Sequence, residues 1–140
     1  MSFFTSLVVS GSGLNAERIR ADLAAANLAN ANSTRTPEGG PYRRRDPVLR
    51  TEAGETFGST LERAVRRVAV KRIVVDPRPP RLVFDPSHPD ADSKGMVAFP
   101  NVQVVEEITN LTNASRTYQA NIAAITVSRE MADRALRMGR

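Results

Sequence analysis

From Val104 to Leu136, apolar residues recur at spacings of four and three, and no other feature restricts the fold of this 140-residue chain so tightly. The positions are Val104, Ile108, Leu111, Ser115, Tyr118, Ile122, Ile125, Arg129, Ala132 and Leu136, of which eight are apolar. A 3.5-residue period held over about five heptads is the seam of a coiled coil, narrower than the stripe of a helix on a globular core. Continuous from Val102 to Met138, such a helix is about 55 Å long at 1.5 Å per residue. A domain of this size cannot wrap it.

The N-terminal end carries a weaker seam of the same kind, with Leu7, Leu14, Ala21 and Leu28 seven apart and Ala24 and Ala31 following the later members. Two arrangements follow. The helices form a hairpin whose other faces meet water, or the pair packs against further helices. The stretches "ADLAAANLANAN" and "TNLTNASRTYQANIAAITVS" carry one charge each, which favours the second arrangement because Asn, Gln, Ser and Thr can hydrogen-bond across dense contacts. Asn27, Asn30 and Asn32 sharpen the point. On a solvated face Glu, Lys or Arg would have better helix propensity, whereas an amide donates and accepts without placing a charge inside an assembly. They are therefore expected to meet neighbouring subunits. The alternative is that they fray the helix end, where Asn is favoured.

All nine prolines lie between Pro37 and Pro100, which separates two proline-free ends from a turn-rich middle. "VRRVAVKRIVVD", Val65 to Asp76, reads as a strand, and shorter candidates follow at "RLVF" and "MVAF", separated by turn-formers. The expected fold class is α+β. Long N- and C-terminal helices pair as a coiled-coil-like bundle around a small central antiparallel β-domain of two to four strands. Residues 1–36 and 101–140 together make one helical domain, and 37–100 hold the proline-rich loop and the β-domain.

Motifs that suggest chemistry are weaker. "VVSGSGLNA" fits a dinucleotide-binding G-x-G-x-x-A at Gly11, Gly13 and Ala16, but no second strand ending in an acidic residue follows. The glycines read better as a bend or cap near the start of the first helix. Asp85, His88, Asp90 and Asp92 in "DPSHPDAD" are possible metal ligands, and also ordinary turn residues. One His, no Cys and no G-x-S-x-G elbow argue against hydrolytic triads, and the chain is expected not to be an enzyme and to need no cofactor.

The formal charge is +5, from 18 Arg and 2 Lys against 15 acidic residues. Such a balance suits acidic partners and keeps a basic nucleic-acid-binding module open as the alternative function. "PYRRRDP" sets Arg43, Arg44 and Arg45 beside Tyr42, yet no nucleic-acid-binding motif accompanies them, and bridges to a neighbouring subunit's carboxylates are the competing use. "MSFFTSLVVSGSG" lacks a basic n-region and no stretch approaches a membrane span of about 18 apolar residues, so a soluble chain without a cleaved signal is expected.

Two long stretches carry a resemblance. "SGLNAERIRADLAAANLANANSTRTPEGGPYRRRDPV" resembles the N-terminal signature of the flagellar axial proteins, the rod and hook family. "HPDADSKGMVAFPNVQVVEEITNLTNASRTYQANIAAI" is similar to the C-terminal half of the short rod members. The resemblance implies a structural component of the bacterial flagellar basal-body rod in the periplasm. Its partners would be other rod proteins, copies of itself and the flagellar type III export apparatus, with no nucleic acid and no direct membrane span. Subunit-interface candidates are Leu7, Leu14, Asn27, Leu28, Asn30, Asn32, Val104, Ile108, Leu111, Tyr118, Ile122 and Ile125.

Overall fold

The computed structural model describes residues 3–53 and 66–139. Its elements run α1 (Phe3–Ala29), β1 (Arg45–Ala53), β2 (Arg66–Val75), β3 (Arg81–Phe84), β4 (Met96–Phe99) and α2 (Val104–Met138). This is the expected α+β class: two long terminal helices and a small antiparallel β region between them. At 35 residues α2 is about 52 Å long. Glu106 and Glu107 in its first turn and Arg137 in its last complement the helix dipole. The end turns of α1 carry no such charges, so α1 depends on what it packs against.

The two helices lie antiparallel, with Asn27 of α1 bonded to Glu107 of α2 and Gly13 set against Asn121. A Cβ on Gly13 would sit 3.0 Å from the Asn121 Nδ2, so this glycine lets the helices approach closely. Gly11 faces open space. Neither glycine bends or caps anything, because α1 continues through both. Between them the Ser12 hydroxyl donates to the Val9 carbonyl (2.7 Å) and accepts the Val68 N–H (3.1 Å), which ties α1 to β2.

The face that α2 turns inward is rotated from the predicted seam. Glu107 and Ala114 are buried, and Leu111, Asn121, Ile125, Ser128 and Ala132 are half-buried, while Val104, Ile108 and Ile122 are 44–48% exposed. Leu111, Ile125 and Ala132 are shared with the prediction, Tyr118 is exposed, and the other row is 107, 114, 121 and 128. The cause is local. Glu107 has charged and amide partners inside the chain, and the small Ala114 and the Gly13–Asn121 contact permit close approach where an isoleucine would hold the helices apart.

The strands form two separate two-stranded sheets. β1 and β2 pair from Arg45↔Val75 to Ala53↔Arg66, with a register shift between Val48 and Leu49. β3 and β4 pair from Arg81↔Phe99 to Phe84↔Met96. β2, β3 and β4 coincide with the candidate strands, although Val65 lies outside the described residues. β1 went unpredicted, since "RDPVLRTEA" contains a proline and mixed charges. Pro47 is tolerated because β1 is an edge strand.

The connection from Asp85 to Gly95 spends its acidic side chains on its own turns. Asp85 accepts the Ser87 N–H and hydroxyl, Asp92 accepts the N–H groups of Lys94 and Met96, and His88 Nδ1 accepts the Asp90 N–H. Asp90 accepts the Thr34 hydroxyl at 2.7 Å, joining this loop to the segment that follows α1. Asp85, His88 and Asp92 thus act as turn residues, and among the described residues no group of three or more His, Cys, Asp or Glu is placed to hold a metal ion.

Candidate functional site

Very little of the hydrophobic surface is buried within one chain. Among the described residues the fully buried apolar side chains are Ala16, Ala24, Ala31, Val97 and Ala114, four of them alanines. The largest buried groups instead include two polar ones, Asn27 and Glu107, each 1% exposed.

Asn27 is saturated. Its Nδ2 donates to the Arg45 carbonyl (2.9 Å) and to Glu107 Oε2 (3.0 Å). Its Oδ1 accepts from the Tyr42 hydroxyl (2.9 Å) and the Arg45 N–H (3.0 Å). An amide offers two donors and two lone pairs, so the expected contact between subunits is corrected to one within the chain. Asn30 is half-buried and uses half of its amide locally: it donates to the Ala26 carbonyl (2.9 Å) and accepts the Ser33 hydroxyl (3.1 Å) at the end of α1, which leaves one N–H and one lone pair for another contact. Asn32 alone stays exposed.

Beside Asn27 the Arg44 guanidinium, 6% exposed, bonds Glu107 Oε1 at 2.7 Å and reaches Glu106 at 3.5 Å. It also pairs with Asp46. Burial opposes the charge on Arg44, yet the hydrogen bond and charge of Glu107, together with Asp46, hold its pKa above the ordinary value. Burial pushes the Tyr42 phenol up, opposed by Arg45 and reinforced by Glu107. Removal of one member of a buried ion pair usually costs about 3–5 kcal/mol, because the other charge remains without compensation. The group therefore acts as a clasp, locking the end of α1, the loop before β1 and the start of α2 into one geometry. The three consecutive arginines divide accordingly, with Arg44 turned inward and Arg43 and Arg45 exposed.

Sequence reasoning passed over Arg44 and Glu107 as partners. The signal was opposite charge in "YRRRD" and "VVEE", 63 residues apart, with nothing local to join them.

The other sequence candidates lie along the helices. Leu7, Leu14, Leu28 and Leu111 are half-buried, as is Ile125. Val104, Ile108, Tyr118 and Ile122 are exposed, and so are Val105, Val127, Met131, Leu136 and Met138, at 55–83%, spread over more than one side of the helix. The threonines beside them satisfy themselves. Thr109, Thr112, Thr117 and Thr126 each return a hydroxyl hydrogen bond to the carbonyl four residues back. Such a face can be buried by another helix without stranding a donor. No described helix is long and apolar enough to cross a membrane.

Known proteins are similar to this chain in sequence along nearly its whole length. Residues 7–35 match the family described as flagella basal body rod protein, and residues 93–138 match the C-terminal family of flagellar basal body rod FlgEFG proteins. The flagellar basal-body rod protein FlgC of Bacillus subtilis is 38% identical, with all of both chains covered. FlgC of Borreliella burgdorferi is 38% identical over 94% of this chain and 93% of its own. FlgC of Salmonella typhimurium is 37% identical over 99% of each.

Proposed function

This chain belongs to the flagellar basal-body rod protein FlgC family, and we propose on that premise that its clasped helix pair is the building unit of the flagellar basal-body rod. The chain is a structural component of that rod. The observation that carries the finer reading is the open side of α2, where large apolar side chains and self-satisfied threonines lie on a helix with almost no charge between Glu107 and Arg129. Neighbouring rod subunits cover this side. Leu7, Leu14, Leu28, Asn30, Asn32, Val104, Ile108, Leu111, Tyr118, Ile122 and Ile125 are the interface candidates that remain after Asn27 is assigned to the chain's own fold.

A rod transmits rotation only if each subunit is stiff and each repeats its contacts. The clasp supports the first requirement, since Asn27 and Arg44 tie both helices to the start of β1. Contacts between unlike faces support the second, because head-to-tail association builds an open helical array. The reading includes no catalysis, and delivery through the flagellar type III export apparatus belongs to it.

The test is replacement in a flagellated bacterium that lacks its own FlgC. The chain is expected to restore basal-body rods and swimming, and Ile108→Asp with Ile122→Asp is expected to abolish both while the protein still accumulates. Normal swimming by the double variant would sink the interface assignment.

A further inference from the structure

Each small sheet has one apolar face that the chain leaves open. Facing residues of an antiparallel ladder share a side, so Leu82↔Ala98 and Phe84↔Met96 place four apolar residues on one face of β3–β4. Leu82 is 62% and Phe84 68% exposed. The opposite face is occupied, with Val97 wholly buried and the Arg81 guanidinium over the Phe99 ring. Phe84 is nonetheless held in place. Gly95, at φ +74°, leaves room for the ring, whose edge lies 2.9 Å from where a Cβ would be.

On β1–β2 the pairs Arg45↔Val75, Pro47↔Ile73 and Leu49↔Val70 share a face. Val75, Ile73 and Leu49 are 50%, 51% and 39% exposed on it.

The charges beside the two faces are opposite. Arg43 and Arg45 flank a cleft lined by Tyr42 and Val75, and among the described residues neither guanidinium meets a carboxylate within 4 Å. Asp85 and Asp92 flank the Phe84↔Met96 end of the other face, bonded to backbone and hydroxyl donors and likewise without a cation partner in the described set.

We propose that the open face of β3–β4 in one copy of this chain stacks on the open face of β1–β2 in the next, with Leu82 over Ile73 and Phe84 over Val75. This places Asp85 and Asp92 against Arg43 and Arg45. The spacings agree, because each apolar pair is two residues apart, about 6.8 Å along its strand, and stacked sheets lie about 10 Å apart. The faces are unlike, so the contact is heterologous and propagates. It adds a second zone of contact to the helices and rests on the rod reading above.

The chain has no cysteine, so introduced pairs report cleanly. Ile73→Cys with Leu82→Cys is expressed as the sole copy of the family in a cell that builds basal bodies, which are then purified and treated with a short bismaleimide. A disulfide needs Cβ atoms within about 4.5 Å, too close for sheets stacked about 10 Å apart, whereas such a linker spans that gap. A ladder of multimers of this chain from the double variant, with none from either single variant, is the expected result. No ladder from this pair or from Val75→Cys with Phe84→Cys in basal bodies that contain the chain would overturn the proposal. So would a dimer from a single variant, or cross-links only to a different rod protein. If neither pair is incorporated, Arg43→Glu with Arg45→Glu decides the matter. A loss of incorporation of about tenfold supports the contact, as removal of steering and interface charge does elsewhere, and undiminished incorporation refutes it. Absence of the wild-type chain from basal bodies would instead refute the rod reading itself.

Discussion

The start of α2 and its outer side belong to the same helix and solve opposite problems. Around Glu107 every buried polar group has a partner in the chain, through Asn27, Tyr42 and Arg44. Along Ile108, Ile122, Val127 and Met131, large apolar groups are left 44–67% exposed. The difference separates what folding completes from what assembly completes. The clasp gives the subunit its shape, and the open face gives it a reason to find a neighbour.

The contrast breaks most visibly if the clasp is cut. Arg44→Met leaves the Glu107 carboxylate buried and unpaired, and urea unfolding is expected to show a loss of about 3–5 kcal/mol. Arg44→Met combined with Glu107→Met is expected to recover most of that loss, because no unpaired charge remains. Asn27→Ala comes next. It strands partners on three elements at once and is expected to cost about 1–3 kcal/mol, against the gain in helix propensity.

The expectation that Asn27 faces another subunit shows where sequence reading stops. The surplus of amides before the loop was legible as a sign of unusual surroundings. The partners were not, since they lie 15, 18 and 80 residues away and only the closed fold brings them together. The long helix was legible because a 3.5-residue period repeats many times. Its inward face was not, because Glu107 and Asn121 are charged and polar and interrupt any apolar row through Ala114, although they make the close contacts. β3 and β4 were legible from short apolar runs between turn formers. β1 was hidden by its proline and charges, and the sheet faces by register that only the pairing reveals.

Glycine substitutions sharpen the comparison on α1. Gly11→Ala meets nothing within 4 Å and is expected to stabilise by about 0.5–1 kcal/mol, the usual gain of Ala over Gly in a helix. Gly13→Ala must displace the Asn121 amide and is expected to forfeit that gain. Thermal unfolding of the two variants side by side checks the difference. Away from the clasp, Ile108→Asp and Ile122→Asp are expected to change the stability of the isolated chain by no more than about 0.5 kcal/mol each, since both side chains are exposed there.

The smallest effect is one of pH. The side-chain hydrogen bond from Arg78 lowers the Asp76 pKa from 3.8 to about 2. A folded-state pKa below the unfolded one contributes stability above pH 3.8 that is lost as pH falls through about 2. The pair is solvent-screened and its share is small. Asp76→Asn is expected to flatten the stability profile slightly between pH 4 and 2, and an unchanged slope would remove Asp76 from the account.

Hydrogen exchange on the isolated chain and on purified rods tests the division between folding and assembly most directly. In the isolated chain the amides from Glu107 to Ala114 are expected to exchange slowly and those from Thr126 to Met138 quickly. In rods protection is expected to extend along all of α2. Equally slow exchange along the whole helix in the isolated chain would contradict the account, because the open face would then need no neighbour.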